Sequence, residues 1–247
     1  MPTHSVCAKI ALAAAVCAAP ASLGGVCRPD RATAESEYSS SYDIGNAIDG
    51  SGLPSGFIPG NSHGTYAVNN HWTTQAGALG QGRSNASFFF DNGTTIGAFH
   101  LWNHRSNGVA ADPGYAVTLF DLILRDQAGE VIFQIIDVAA LPNVLTAQTY
   151  SFTTVPGVYR VDFRIKANNG SPNYTGVAEV GFDNGLTPCP ADLDCDRAIT
   201  TGDLVLMLAR FGQAGLAGQS GDLNQDGVVN TTDLTQLLVA FGGQCTG

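Results

Sequence analysis

The sequence predicts a mainly β chain: an antiparallel β-sandwich followed by a small all-α module. Three observations predict it. Between residues 87 and 182 lie seven short segments rich in Val, Ile, Phe, Tyr and Thr, with Gly-, Asn- and Pro-containing turns among them. A composition boundary falls at Asn184-Gly185-Leu186-Thr187-Pro188. Beyond it an acidic segment repeats itself at an offset of thirty residues, each copy running into a short amphipathic helix. Composition sets outer bounds. With 21 acids, 11 bases and a formal net charge of −10, the chain lacks the basic stripe that a nucleic-acid binder needs. A hydrophobic content of 44% suffices for a packed core.

At the N-terminus, Met1–Lys9 is a weakly basic lead and Ile10–Ala19 an apolar run too short to span a bilayer. Ala19-Pro20-Ala21 then offers a small-x-small cleavage site. This pattern predicts a secretory signal over residues 1–21, a linker to about residue 30 and a secreted, extracellular or cell-surface location. No later stretch is apolar for long enough to span a membrane. Cys7 and Cys17 would leave with the signal. Cys27, Cys189, Cys195 and Cys245 would remain in an oxidising compartment, where three disulfide pairings are open to them.

The sandwich is expected over residues 31–184. Its strands are read at Ser87–Phe90, Ile96–Trp102, Ala116–Leu124, Val131–Ile136, Thr149–Thr154, Tyr159–Ile165 and Val177–Phe182. Tyr159–Ile165 alternates apolar and charged residues, the signature of a half-buried strand. Turns are expected at Asp91-Asn92-Gly93, Ala128-Gly129, Val155-Pro156-Gly157 and Asn168-Asn169-Gly170. Gly50–Asn70 reads as a long loop, functional or mobile.

In the repeat, Ala191–Gly212 aligns with Gly221–Gly242. Leu204, Leu208 and Phe211 share one helical face, as do Leu234, Leu238 and Phe241. The second loop places Asp222, Asn224, Asp226, Val228, Asn230 and Asp233 at the ligand positions of a calcium loop, with Gly227 at its sharp turn. Calcium takes six to eight hard oxygens, which alternate side chains, one carbonyl and a closing carboxylate can supply. The first loop offers Asp192, Asp194, Asp196, Ala198, Thr200 and Asp203, but Arg197 stands where the turn glycine is expected. The competing reading makes these aspartates helix caps.

Residues 188–245 thereby resemble a dockerin, a module of two calcium loop–helix repeats. The resemblance implies two Ca²⁺ ions and a cohesin-like protein partner. It assigns partner recognition to Thr201-Gly202 and Thr231-Thr232. If the ends of the module meet as they do in that family, Cys189 and Cys245 would clip it, with Cys195 a competing partner for Cys189.

Ala32–Tyr42, Asn46-Ala47-Ile48-Asp49-Gly50, His71-Trp72-Thr73-Thr74 and Gly176–Val180 together resemble the discoidin, or coagulation-factor C-type, sandwich. That fold is the galactose-binding-like jelly roll. The resemblance implies a further calcium held by Asp49 and Glu179. A sugar site needs an aromatic face and polar groups for hydroxyls. The candidates are His71 and Trp72, and Trp102 with Asn103, His104 and Arg105. No nucleophile elbow, zincin helix or phosphate-cradling loop appears, so the expectation is a non-catalytic, secreted protein recognising a glycan or polysaccharide. The alternatives are an accessory or divergent protein of polysaccharide breakdown and a surface or adhesion protein without a sugar ligand.

Overall fold

The computed structural model describes residues 26–53, 57–104, 114–183, 189–193, 198–213, 221–224 and 226–245. The signal segment, Arg105, Asp194, Cys195, Asp196 and Arg197 lie outside the described residues. The elements in chain order are β1 (Arg31–Ala34), β2 (Trp72–Thr73), β3 (Ala86–Asn103), β4 (Val117–Arg125), β5 (Val131–Ala139), β6 (Gln148–Asn168), β7 (Gly176–Asp183), α1 (Thr201–Ala209) and α2 (Thr231–Ala240).

All strand pairings are antiparallel and link in the order β2-β7-β3-β6-β4-β5, with β1 beside β3. Two long strands turn this one sheet into two layers. The first half of β3 pairs with β1 and with the second half of β6 (Ala86↔Phe163, Phe89↔Arg160). The second half of β3 pairs with β7 and with the first half of β6 (Phe99↔Phe182, Phe99↔Tyr150). Between the halves the register shifts, Gly93 takes φ +72° and Gly157 takes φ +70°. The turn residues at 91–93 and 155–157 are therefore corners inside β3 and β6, not chain reversals between separate strands. A bulge with a left-handed glycine lets a strand bend and keep its partner.

Folding at these corners brings the layers face to face. Phe99 meets Phe120 at 5.8 Å and Phe163 at 5.4 Å, and Phe88 meets Phe182 at 5.8 Å. The N-terminal stretch departs from the linker expectation. Val26 and Cys27 are buried, and Cys27 exchanges two backbone hydrogen bonds with Phe182 along β7. Gly181 leaves the space that Val26 fills, since a Cβ there would lie 2.2 Å from Val26 Cγ1. The described part of the long loop covers the outer side of β3 and β7. There Leu53, Phe57 and Tyr66 join Val26, Trp102 and Ala178 in a second small core.

In the C-terminal module the two helices begin alike. Asp203 accepts from Thr200 N, Asp233 accepts from Asn230 N, and each closes a capping box. A disulfide joins Cys189 to Cys245, and Cys27 is disulfide-bonded as well. The helix pair buries Met207 and Leu237 most deeply; of the face read from sequence only Leu204 and Leu234 pack against this core, while Leu208 and Leu238 stay 51% and 52% exposed and Phe211 and Phe241 are exposed too. Leu204 and Leu206 of α1 and Leu234 and Ala240 of α2 pack, partly buried, against the same cluster.

Candidate functional site

Six aromatic rings close a circuit on the sandwich. Tyr38 contacts Tyr42 at 5.7 Å, Tyr42 contacts His71 at 5.0 Å and His71 contacts His104 at 5.2 Å. His104 contacts Tyr115 at 5.2 Å, Tyr115 contacts Tyr174 at 5.3 Å, and Tyr174 returns to Tyr38 at 5.6 Å. The two histidines are buried, Tyr42, Tyr115 and Tyr174 are half-buried, and Tyr38 is 55% exposed. The circuit thus has an imidazole floor and a phenol rim.

The floor is fixed from below. Asn103, at the end of β3, is buried with every polar group used. Its Nδ2 donates to Val117 O (2.7 Å) and Leu141 O (3.1 Å), and its Oδ1 accepts from Val117 N (2.9 Å) and His104 N (3.0 Å). Asn103 is therefore a peg that positions His104 rather than a ligand group. Gly176 on β7 makes room for the imidazole, as a Cβ there would lie 2.5 Å from His104 Cδ2. Tyr66 contacts both floor histidines, stacks on His63 at 4.5 Å and donates its hydroxyl to Asn103 O at 2.9 Å.

Burial, with the neighbouring histidines adding to it, sets the charge state of the floor. His71 is pushed down to about 4 and His104 to about 3. Both are neutral at pH 7. Nδ1 of His104 is buried with no hydrogen-bond partner among the described residues, while Nδ1 of His71 lies 2.9 Å from Asn70 Oδ1. On the rim, burial and then the phenols of Tyr174 and Tyr38 raise the Tyr115 hydroxyl, so it stays protonated. The circuit offers ring faces and neutral donors and acceptors together.

Of the sugar-site candidates, His71 and His104 come together here, and Arg105 lies outside the described residues. Trp72 does not take part. It is 0% exposed in the main core, with Nε1 donating to Ser36 O, so no face is open to a sugar ring. Trp72 alternates with His71 along the chain, and only one of them can face inward. Trp102 is likewise buried, against Phe57. The tyrosines were not singled out in the sequence. They sit in three separate stretches of the chain, and no local motif joins them.

Asp49 and Glu179 are also brought together. Glu179 is 0% exposed, and its oxygens accept from Gly52 N (3.1 Å) and Gly50 N (3.4 Å). Asp49 Oδ1 accepts from Ser51 N (2.8 Å), and Asp49 O accepts from Arg28 Nη1 (2.9 Å). Burial pushes the Glu179 carboxyl well up, Asp49 adds to this, and the two amides and Arg28 oppose it.

The second acidic loop is knitted by its own oxygens. Asp222 accepts from Asp226 N and Gly227 N, and Asn224 Oδ1 also accepts from Asp226 N. Asn230 Nδ2 reaches Asp226 Oδ2 and Val228 O, both at 3.1 Å. Asp233 ties Asn224 N to the helix cap, and Gly227 takes φ +93° at the sharp turn. In the first loop Asp192 and Asp203 are buried, and Asp203 accepts from Leu193 N as well as Thr200 N. Thr200 caps α1, and Ala198 bridges to Gln244. Thr201, Thr231 and Thr232 are exposed on the first helical turns, with Gly202 beside them. Among the described residues, no helix is long and apolar enough to cross a membrane.

No protein-family model matches the sequence, and no curated protein matches it. Solved structures similar in shape include a Streptococcus pneumoniae fucose binding module, 16% identical, spanning 64% of this chain and 92% of its own, with a TM-score of 0.45. The lectin domain of lectinolysin complexed with Lewis B antigen is 17% identical over 64% of this chain and 95% of its own, with a TM-score of 0.46. An F5/8 type C domain from Bacteroides fragilis is 17% identical over 64% of this chain and 96% of its own, with a TM-score of 0.42.

Proposed function

We propose that this is a secreted, non-catalytic recognition protein whose sandwich binds a carbohydrate at the aromatic circuit. The observation that carries the reading is the circuit itself. Sugars present C–H faces to aromatic rings and hydroxyls to neutral donors and acceptors. Tyr38, Tyr42, Tyr115 and Tyr174 supply faces and phenol hydroxyls. His71 and His104 supply uncharged imidazoles, and Arg105 follows directly in sequence. A glycan array probed with wild type, Tyr115→Ala and Tyr174→Ala tests this. The expected result is a wild-type signal that each variant weakens about tenfold. No wild-type signal, or variants that bind alike, would overturn it.

The C-terminal module is read as folded by calcium for docking to a cohesin-like protein. Its second loop supports this with a hard-oxygen donor set: Asp222, Asn224, Asp226, Val228 O, Asn230 and Asp233 are linked within one tight turn. In the first loop Asp192, Asp194, Asp196, Ala198, Thr200 and Asp203 take the same positions. Bound calcium would neutralise the clustered carboxylates and fix the angle between the helices. Thr201, Gly202, Thr231 and Thr232 would then face the partner, beside the exposed Leu208, Phe211, Leu238 and Phe241. Ellipticity at 222 nm should fall when a chelator is added, because the described α-helices are α1 and α2. An unchanged spectrum would overturn the calcium reading.

A further inference from the structure

The aromatic circuit is closed around its edge but not filled by its own rings. Each ring touches the next at 5.0 to 5.7 Å, and among the described residues no two rings across the circuit are in contact. Neighbouring planes are inclined by 48° to 88°, as the walls of a cage are. Six rings at this spacing, set round one centre, each stand about 5 Å from it, inside the roughly 6 Å over which an aromatic face attracts a cation. Tyr38, the most exposed of the six, stands at the mouth, and the buried His71 and His104 close the bottom.

The charge around this cage favours a cation. Aromatic faces carry the negative side of the ring quadrupole. The two imidazoles, held at about 4 and about 3, are uncharged at pH 7 and do not repel a cation. Carboxylates flank the mouth in the chain: Glu37 precedes Tyr38, and Asp43 follows Tyr42. Both are fixed by one short turn, Glu37 Oε1 accepting from Ile44 N and Asp43 Oδ1 from Gly45 N. The whole chain has a formal net charge of −10, which draws cations from solution.

We infer that the circuit is an aromatic cage for a quaternary or methylated ammonium group carried by its ligand. The inference rests on the reading proposed above for the place of binding, and it narrows the sugar to one that bears such a group. A trimethylammonium group has no N–H to satisfy, so ring faces on several sides suit it. A primary ammonium is compact and strongly hydrated, and ring faces do not replace that water.

Choline chloride is the probe, titrated into the full chain by calorimetry, with dimethylbutanol as its uncharged carbon isostere. Choline should bind at least about fivefold more tightly than the isostere. Tyr38→Ala and Tyr174→Ala should each weaken choline about fivefold, whereas Tyr174→Phe, which keeps the ring, should bind it as wild type does. Thermal unfolding followed by tryptophan fluorescence checks that each variant is folded. If Tyr174→Ala does not fold, Tyr38→Ala decides alone, because Tyr38 is 55% exposed and outside the core. Three results would overturn the inference: no saturable binding of choline, equal binding of the isostere, or choline binding unchanged in the alanine variants. The glycan array separates this outcome from the reading beneath it. Neutral glycans bound while choline is ignored would remove the cage and leave the sugar site. Choline bound while every glycan is ignored would remove the sugar and leave the cage.

Discussion

Tyr38 and Tyr42, His71, His104, Tyr115 and Tyr174 reach one circuit from stretches that the fold, not the sequence, makes neighbours. Only part of it was therefore legible. His71 and His104 stand out as polar residues close to tryptophans in the sequence, and the fold brings these two rings together. That closeness pointed to the wrong aromatic partner, because strand alternation sends Trp72 into the core and His71 to the circuit. The buried imidazoles make a pH prediction. His71, His100 and His104 are held neutral in the folded protein, at about 4, about 4 and about 3, chiefly by burial. The unfolded chain protonates them near pH 6.5. The stability they contribute is full above that value and is lost as pH falls toward 4. Urea unfolding followed by tryptophan fluorescence should show a lower midpoint at pH 5 than at pH 7. An equal midpoint at both would contradict the buried, neutral assignment. Asn103→Ala takes its partner from the Val117 carbonyl and from the Val117 and His104 amides, while Leu141 O keeps Gln148 Nε2. It should cost at least about 2 kcal/mol in the same assay.

At the level of elements, the corners in β3 and β6 carry a sharper test. Gly93→Ala would place its Cβ 2.6 Å from the Tyr159 ring as well as straining a backbone at φ +72°. Gly157→Ala meets the backbone strain alone, since no atom lies within 4 Å of its Cβ. We expect a loss of about 1 kcal/mol for Gly157→Ala and about 2–3 kcal/mol for Gly93→Ala, measured by denaturant unfolding. Equal losses would show that Tyr159 simply swings aside. These corners also mark the limit of reading strands from sequence. The apolar segments were legible because alternation and β-branched residues report a buried face. Whether Asp91-Asn92-Gly93 reverses the chain or bends it was not, because both events use the same left-handed glycine. The C-terminal helices had a similar limit. Their existence followed from the apolar spacing after each acidic loop, but which side chains are most deeply buried depends on how the two helices pack. Met207→Ala and Leu237→Ala should each cost about 2–5 kcal/mol of module stability, and Leu208→Ala and Leu238→Ala less than 1 kcal/mol. Melting at 222 nm distinguishes them.

Over the whole molecule, the two parts divide their charge differently. Within Thr187–Gly247 all seven acids, Asp192, Asp194, Asp196, Asp203, Asp222, Asp226 and Asp233, fall on calcium-loop positions. The module's acidity is local and, on the reading proposed above, awaits an ion from solution. In the sandwich the deepest acid, Glu179, is instead met by the backbone amides of Gly50 and Gly52. Depleting calcium should therefore release the module from its partner, measured as loss of pull-down in EDTA.

The folded-over sheet has a further consequence, in time rather than in space. Because β3 and β6 each run through both layers, neither layer can be completed before the other has begun. Ser87 must find Asp162 across a separation of 75 residues when the first half of β3 pairs with the second half of β6. Contacts so distant along the chain make folding slow. Once formed, the same continuity gives the two layers one opening event. Amide protons at Phe88 and at Phe99 should therefore exchange at a common, slow rate, although they lie on opposite sides of the core.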